Sequence, residues 1–116
     1  MNSGFLIGAS VAMIATALTH SIVGERRLII PLLARSDGVT ASDLARQVIR
    51  GAWHLTSVLM VVTAAMLWLG PTRAQILVIG LAYLATAILD VILTRGRHIG
   101  WPLLALAGGL ALASLA

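Results

Sequence analysis

The sequence is organised as four long stretches without a charged residue, separated by short segments that carry the charges. Residues 1–24, 51–72, 74–89 and 98–116 contain no Asp, Glu, Lys or Arg. The hydrocarbon core of a bilayer is about 30 Å thick, and a helix of roughly 20 residues crosses it. The pattern therefore predicts an all-α integral membrane protein with four transmembrane helices.

Turn and capping residues set the expected boundaries. The four helices are expected over about 3–24, 41–69, 73–94 and 98–115. A capping box is indicated at Thr40 to Asp43, and Gly70-Pro71-Thr72 is typical of a tight turn. Residues of about 25–40 are assigned to a cytoplasmic loop, in which Pro31 indicates either a kinked continuation of helix one or an interfacial segment. The chain 1–116 then forms one transmembrane domain, an up-down four-helix bundle.

Charge orients this bundle in the membrane. All eight basic residues are arginines, and seven of them lie between helices one and two or between helices three and four. The positive-inside rule places such loops in the cytoplasm, so both termini are expected on the non-cytoplasmic side. The net charge of +4 also raises nucleic acid as a partner, but no base-stacking aromatic residues accompany the arginines. The lipid bilayer is the expected partner, and nucleic acid is not.

Composition supports the same class and restricts the chemistry. Apolar residues make up 59% of the chain and charged residues only 10%, whereas soluble domains carry about 25% charged residues. The chain has no cysteine. Disulfides, thiolate zinc sites, iron–sulfur clusters and cysteine nucleophiles are therefore excluded.

The ionisable residues other than arginine that lie near the expected helices share one depth. His20 lies close to the inner end of helix one and Glu25 just past it, while His54 lies in the first membrane turn of helix two. Asp90 is about one turn from the inner end of helix three, and His98 begins helix four. Because four helices deliver these residues to the cytoplasmic third of a small bundle, they form the candidate site.

A metal ion is the cofactor that this cluster predicts. Neutral imidazole and carboxylate groups are the ligands of zinc, iron, manganese or copper in a cysteine-free site, and helix bundles build such sites from facing side chains. We expect His20, His54 and Asp90 to be the main ligands, followed by Glu25 and His98. A haem held by His20 and His54 is less favoured, because acids flank them and the bundle is small. His20 and Glu25 lie about 140° apart around a regular helix, so they meet only if the helix bends.

Two other functions stay open. In proton- or ion-coupled transport, Asp90 would accept the proton, His20 or His54 would relay it, and Tyr83 and Thr86 would line the outward path. The outer half of the bundle is nearly apolar, so a pore would need several chains. In the second function, the chain is an accessory subunit of a larger membrane complex or part of a homo-oligomer. Small residues, such as those of the Gly4-x-x-x-Gly8 pair, would then lie at the contact between chains.

Catalysis by a serine nucleophile is the poorest interpretation. Ser57, His54 and Asp90 supply the residue types of a triad, but the sequence shows no nucleophile elbow or oxyanion device. The sequence does not decide whether the chain is an enzyme.

Several motifs along the chain resemble those of a known group of proteins. They are His20-Ser21-x-x-Gly24-Glu25, Pro31-Leu32-Leu33, Arg50-x-x-Trp53-His54 and Gly96-Arg97-His98-x-Gly100-Trp101. In these motifs the chain is similar to a family of small, functionally uncharacterised bacterial four-helix membrane proteins. The resemblance implies a multi-pass protein of the bacterial inner membrane and a recurring pattern of His and Glu positions. It implies no activity.

Overall fold

The computed structural model describes the whole chain, from Met1 to Ala116, and it contains four principal helices and no strand. These helices are α1 (Ser3–Leu33), α2 (Asp43–Trp68), α3 (Arg73–Thr94) and α4 (Trp101–Ala113). A short 3-10 turn, Gly38–Ala41, lies in the connection between α1 and α2. The expected all-α fold is confirmed.

Helix α1 runs nine residues past its expected end at residue 24. It is α-helical over Ser3–Gly24, forms a π-helical turn over Glu25–Ile29 and is α-helical again over Ile30–Leu33. Pro31 has no backbone N–H, and in a regular helix its ring would clash with the carbonyl four residues earlier. The wider π turn before Pro31 relieves that clash. The expected loop over about 25–40 is therefore corrected, because the chain leaves the helix only after Leu33.

The other helix boundaries differ from the sequence expectation by a few residues. Ser42, and not Thr40, caps α2, because its hydroxyl accepts a hydrogen bond from the N–H of Ala45. Thr40 instead donates to the carbonyls of the preceding turn. Helix α4 begins at Trp101 and not near residue 98, so residues 97–100 form a non-helical segment before it.

The helices pack pairwise and antiparallel. Helix α1 lies between α2 and α4, and α3 packs on α4. Ser10 contacts the carbonyl of Ala64 near one end of the α1–α2 pair, and Ser21 contacts Ser57 further along. The N–H of Asn2, just before α1, bonds to the carbonyl of Ser114, just after α4. Neighbouring helices therefore run in opposite directions, in the order of an up-down bundle.

The two ends of the bundle differ in packing. A cluster of twelve buried residues lies mostly in the half nearer the chain termini, with Ala9, Met13, Leu67, Ile76 and Ala111 among them, and extends to Ala87 and Leu104. Seven of the eight arginines lie at the opposite end, where α1 and α3 finish and α2 and α4 begin. This end is called the arginine-rich end below.

Three of the helices are long and apolar enough to cross a membrane, namely α1, α2 and α3. Helix α4 is apolar but has only 13 residues. The outward faces of the long helices carry large exposed apolar side chains, such as Leu18, Val58, Ile88 and Leu93. Such surfaces are rare on monomeric soluble proteins, so a membrane protein is a plausible class for this chain.

Candidate functional site

The residues expected to form one site lie at the arginine-rich end, but the structure divides them into three groups. Asp90 and His98 form the first group, beside the turn between α3 and α4. The His98 Nδ1 atom lies 2.6 Å from Asp90 Oδ2. Since a carboxylate only accepts, Nδ1–H of His98 donates to Asp90. The turn is held in addition by Thr94, whose hydroxyl donates to the carbonyl of Asp90.

His20 belongs to a second group, at the crossing of α1 and α2. Its ring stacks on the indole of Trp53, with ring centroids 4.0 Å apart and planes 13° from parallel. The His20 Nε2 atom lies 3.2 Å from the Trp53 carbonyl and 2.8 Å from the Thr56 hydroxyl. The indole N–H of Trp53 donates in return to the carbonyl of His20, at 3.1 Å. Reciprocal hydrogen bonds and a stack thus fix His20 against α2.

The third group is a chain of hydrogen bonds between α1 and α2, called the relay below. It consists of Arg50, Glu25, His54, Ser21 and Ser57. The Arg50 Nε atom lies 3.0 Å from Glu25 Oε1, and His54 Nε2 lies 3.2 Å from Glu25 Oε2. On the other side of the ring, His54 Nδ1 lies 2.9 Å from the hydroxyl of Ser21, which lies 3.0 Å from the hydroxyl of Ser57.

Glu25, the first residue of the π-helical turn of α1, reaches the relay from the same face of the helix as Ser21. The sequence spacing allows Glu25 to meet His20 only at a bend, and the structure joins Glu25 to His54 instead. Ser21 lies one helical turn before Glu25, so the two side chains lie on one face of α1. His20 is one residue from Ser21, about 100° around the helix, and faces the indole of Trp53.

The predicted metal-ion site requires several of these side chains to surround one point. No group of three or more His, Asp and Glu side chains is placed to hold one metal ion. Two pairs are formed, His54 with Glu25 and His98 with Asp90, and His20 contacts neither carboxylate. Metal binding stays a prediction, and His20, Glu25, His54, Asp90 and His98 do not form one ligand set here.

The relay contains the residue types of a Ser-His-acid triad, in the order Ser21, His54, Glu25. A triad also needs free donors that stabilise an oxyanion next to the nucleophile. Ser21 lies inside α1, where the backbone N–H groups are already used by the helix. The triad drawn from sequence is not formed either, because Asp90 bonds to His98 and not to His54. The relay therefore has the residue types of a triad without free oxyanion donors beside Ser21.

Sequence reasoning missed several partners in these groups. Ser21, Thr56 and the carbonyl of Trp53 were not expected to contact the histidines, although the Ser21 and Glu25 spacing of four residues was visible. The two residues named for an outward path on α3 have different surroundings. Tyr83 is buried and bonds to Thr63, but Thr86 is exposed and donates to a carbonyl of its own helix.

No family model, curated protein or solved structure matches this chain. The resemblance to small four-helix membrane proteins stays a prediction. The geometry of the three groups is therefore the basis for a function.

Proposed function

We propose that this chain is a four-helix protein of the cytoplasmic membrane, with its arginine-rich end in the cytoplasm and both termini on the other side. Its outward apolar faces, with residues such as Leu18 and Val58, support insertion into a bilayer. Seven of the eight arginines at one end support the orientation, because positive loops stay in the cytoplasm. Helix α4 spans about 20 Å at 1.5 Å per residue, so the non-helical segment before it completes the crossing.

Within this bundle the protein performs a proton-linked function, and the relay is its proton-binding element. The observation that supports this proposal is the unbroken hydrogen-bond chain that places His54 between Glu25 and Ser21. Histidine is the side chain that ordinarily changes charge between about pH 5 and 8. Ionisable residues within membrane segments are commonly parts of proton pathways.

The two protonation states of His54 use the hydroxyl of Ser21 differently, and the protonated ring satisfies every contact of the relay. When the ring is neutral, Nε2–H donates to Glu25, and Nδ1 accepts from the hydroxyl of Ser21. When the ring is protonated, Nδ1–H donates to Ser21, whose own hydroxyl donates to Ser57. Ser21 has a single hydroxyl hydrogen, so in the neutral state it donates to Nδ1 and gives up its donation to Ser57. A change in the protonation of His54 therefore turns the hydroxyl of Ser21.

The relay serves only the cytoplasmic part of the bundle. Ser57 lies three residues beyond His54 on α2, which is about 4.5 Å along the helix axis. The next polar side chain on α2 is Thr63, and it bonds to Tyr83 and not to the relay. One chain thus offers a proton-binding site at one end. Transport across the membrane would need further copies or a larger complex.

The proposal is tested by nitrogen NMR of histidine-labelled protein in lipid nanodiscs. Spectra recorded at about pH 8 and at about pH 5 count the N–H groups on each ring, and the proposal requires that the ring of His54 gain a second N–H on acidification. The His54→Gln variant identifies its signals, and Ser57→Ala removes the last acceptor of the relay. If His54 keeps a single form over this range in the wild type, the relay does not bind protons and the proposal is wrong.

Metal binding at the same pair is tested on the same samples. Glu25 and His54 supply one carboxylate and one imidazole, but the guanidinium of Arg50 lies against that carboxylate and opposes a cation. Elemental analysis after supplementation with zinc, iron, copper and manganese shows whether the pair binds a metal ion or only a proton. Bound metal that disappears in His54→Gln would replace the proton as the ligand of this site.

A further inference from the structure

A cavity of about 360 Å³ lies at the arginine-rich end, on the face of α1 that is turned away from the relay. Its walls come from α1, α2, the start of α4 and the non-helical segment at residues 97–100. Backbone that is not helical is tolerated at membrane depth where it lines a cavity or is buried in protein. The interruption before α4 and the cavity beside it are therefore parts of one feature.

Apolar side chains form part of the cavity wall, which Thr16 and Thr19 of α1 line as well. Val23, Met60, Leu103 and Leu104 line it from three different helices. The volume lies within the range of about 300 to 1,000 Å³ that is usual for small-molecule sites. It equals about a dozen water-sized groups of roughly 30 Å³ each, which is room for one short alkyl chain and not for two long ones.

Two arginines that line the cavity have no partner in the chain. Arg27 and Arg97 make no ion pair and no side-chain hydrogen bond, whereas Arg46 and Arg50 are both paired with carboxylates. A guanidinium presents several N–H donors in a fork that fits a carboxylate or a phosphate. The two free guanidinium groups thus make this end of the cavity suited to an oxyanion and unsuited to a cation.

Two histidines add acceptors to the same cavity. His98 donates through Nδ1 to Asp90, and His20 donates through Nε2 to the carbonyl of Trp53. In a neutral imidazole the second nitrogen is an acceptor, and neither Nε2 of His98 nor Nδ1 of His20 has a partner in the chain. These atoms are acceptors for a hydroxyl on the headgroup, such as the P–OH of a phosphate monoester.

We propose that the cavity is a binding site for a single-chain amphiphile with an oxyanion headgroup. Arg27 and Arg97 hold the carboxylate or phosphate at the arginine-rich end, and the alkyl chain lies against Val23, Met60 and Leu104. The guanidinium groups thus contact the headgroup, and the apolar side chains contact the alkyl chain. The site is independent of the relay, since Ser21 and Glu25 lie on another face of α1 and do not line the cavity.

The test is a binding titration of the full chain in phosphatidylcholine nanodiscs, with empty nanodiscs as the blank. The probes are decanoate, decyl phosphate and decanol, which share one alkyl chain and differ in the headgroup. We expect at least one of the two anions to bind at least about tenfold more tightly than decanol, since charge-assisted hydrogen bonds are made only by the anions. Preference for decanoate or for decyl phosphate identifies the headgroup, and either preference supports the proposal. Decanol that binds as tightly as both anions would overturn it.

Variants locate the bound anion. The double variant Arg27→Gln/Arg97→Gln is expected to weaken anion binding by about tenfold or more. The matched control is Arg26→Gln/Arg95→Gln, which changes net charge equally at residues that do not line the cavity. If the two double variants weaken binding equally, the anion is attracted by overall charge and the proposal is wrong.

A third variant tests whether the chain enters the cavity. Val23→Phe fills part of the apolar wall and leaves every charge in place. We expect it to weaken both anions by about tenfold, because the volume for the alkyl chain is lost. Helicity and the unfolding midpoint, measured in parallel, show that the variant is folded. If the folded variant binds the anions as the wild type does, the amphiphile lies elsewhere and the proposal fails.

Discussion

The α1–α2 and α3–α4 pairs are both antiparallel, but different contacts hold them together. Between α1 and α2, side-chain hydrogen bonds cross the interface at several depths, from Ser10 and Ala64 to Ser21 and Ser57. Between α3 and α4, hydrogen bonds from side chains lie only at the two ends. In the middle, Gly80 and Gly108 bring the two backbones into direct contact.

This difference separates an interface of close packing from an interface of polar contacts. Helices in a membrane associate through close packing of small residues or through polar contacts, since lipid is as apolar as their side chains. The α3–α4 pair associates through small residues, and no charged residue or histidine lies in its middle. The α1–α2 pair associates through polar contacts, which include His20 and the relay. The pair that carries the candidate chemistry is therefore the one that depends on hydrogen bonds.

The largest effect is expected where backbone meets backbone, at Gly108. An added Cβ would lie 2.7 Å from the carbonyl oxygen of Gly80 and 2.8 Å from the backbone nitrogen of Leu84. Backbone atoms cannot rotate away, so Gly108→Ala is expected to lower the free energy of unfolding by about 3 kcal/mol. The measurement is unfolding by a denaturing detergent in mixed micelles.

The neighbouring glycine supplies a matched control for that experiment. An added Cβ at Gly109 meets nothing within 4 Å. Gly109→Ala has the same gain in helix propensity and no clash, so stability equal to or above that of the wild type is expected. Equal destabilisation by the two variants would show that α3 and α4 are not packed as described.

Sequence predicted the fold better than it predicted these contacts. The charge-free windows marked all four helices, because uncharged apolar stretches close to the length of a membrane-spanning helix are rare in other proteins. The extension of α1 through Pro31 was left open, because it depends on a π turn that no residue type specifies. The small-residue pair at Gly4 and Gly8 is visible in sequence, but the backbone contact uses Gly80 and Gly108, which lie on different helices.

The sequence predicted the depth in the bundle at which the candidate residues lie, but it did not predict which residues they contact. His20, His54 and Asp90 were expected at one end of the bundle, and they lie there. Which residues touch depends on the rotation of each helix, and adjacent positions such as His20 and Ser21 differ by about 100°. Sequence position fixes depth to within about a turn, but rotation is decided by the packing of all four helices.

A smaller effect is expected at the α1–α2 interface, at Gly24. An added Cβ would lie 2.4 Å from the indole ring of Trp53, which is a side chain and can move. Gly24→Ala is expected to lower the free energy of unfolding by about 1 to 2 kcal/mol, because Trp53 shifts and its stack with His20 is lost. Detergent unfolding and the histidine NMR signals of His20 measure the two consequences.

The control for Gly24 lies on the facing helix. Gly51, at the arginine-rich end of α2, has nothing within 4 Å of an added Cβ. Gly51→Ala should therefore leave the His20 signals unchanged and give stability equal to or above that of the wild type. A Gly24→Ala variant with wild-type stability and unshifted His20 signals would contradict the close crossing of α1 and α2 at Trp53.

The smallest effect is expected where the two pairs meet, at the hydrogen bond between Thr63 of α2 and Tyr83 of α3. Their hydroxyl oxygens lie 2.8 Å apart. Thr63 also bonds to the carbonyl of Met60 in its own helix, so it keeps a partner when Tyr83 is changed. A double-mutant cycle with Thr63→Val and Tyr83→Phe should thus give a coupling energy of only about 0.6 kcal/mol, which is typical of such bonds in membranes.

This cycle tests whether the two helix pairs are coupled directly, through α2 and α3, or only through the packing of α1 on α4. A control cycle with Thr63→Val and Thr86→Val should give no coupling, since Thr86 is exposed on α3 and bonds within its own helix. Coupling close to zero in the first cycle would mean that α2 and α3 are independent. The polar pair and the small-residue pair would then be joined only by the packing of α1 on α4, and changes at the relay would reach α3 only through that packing.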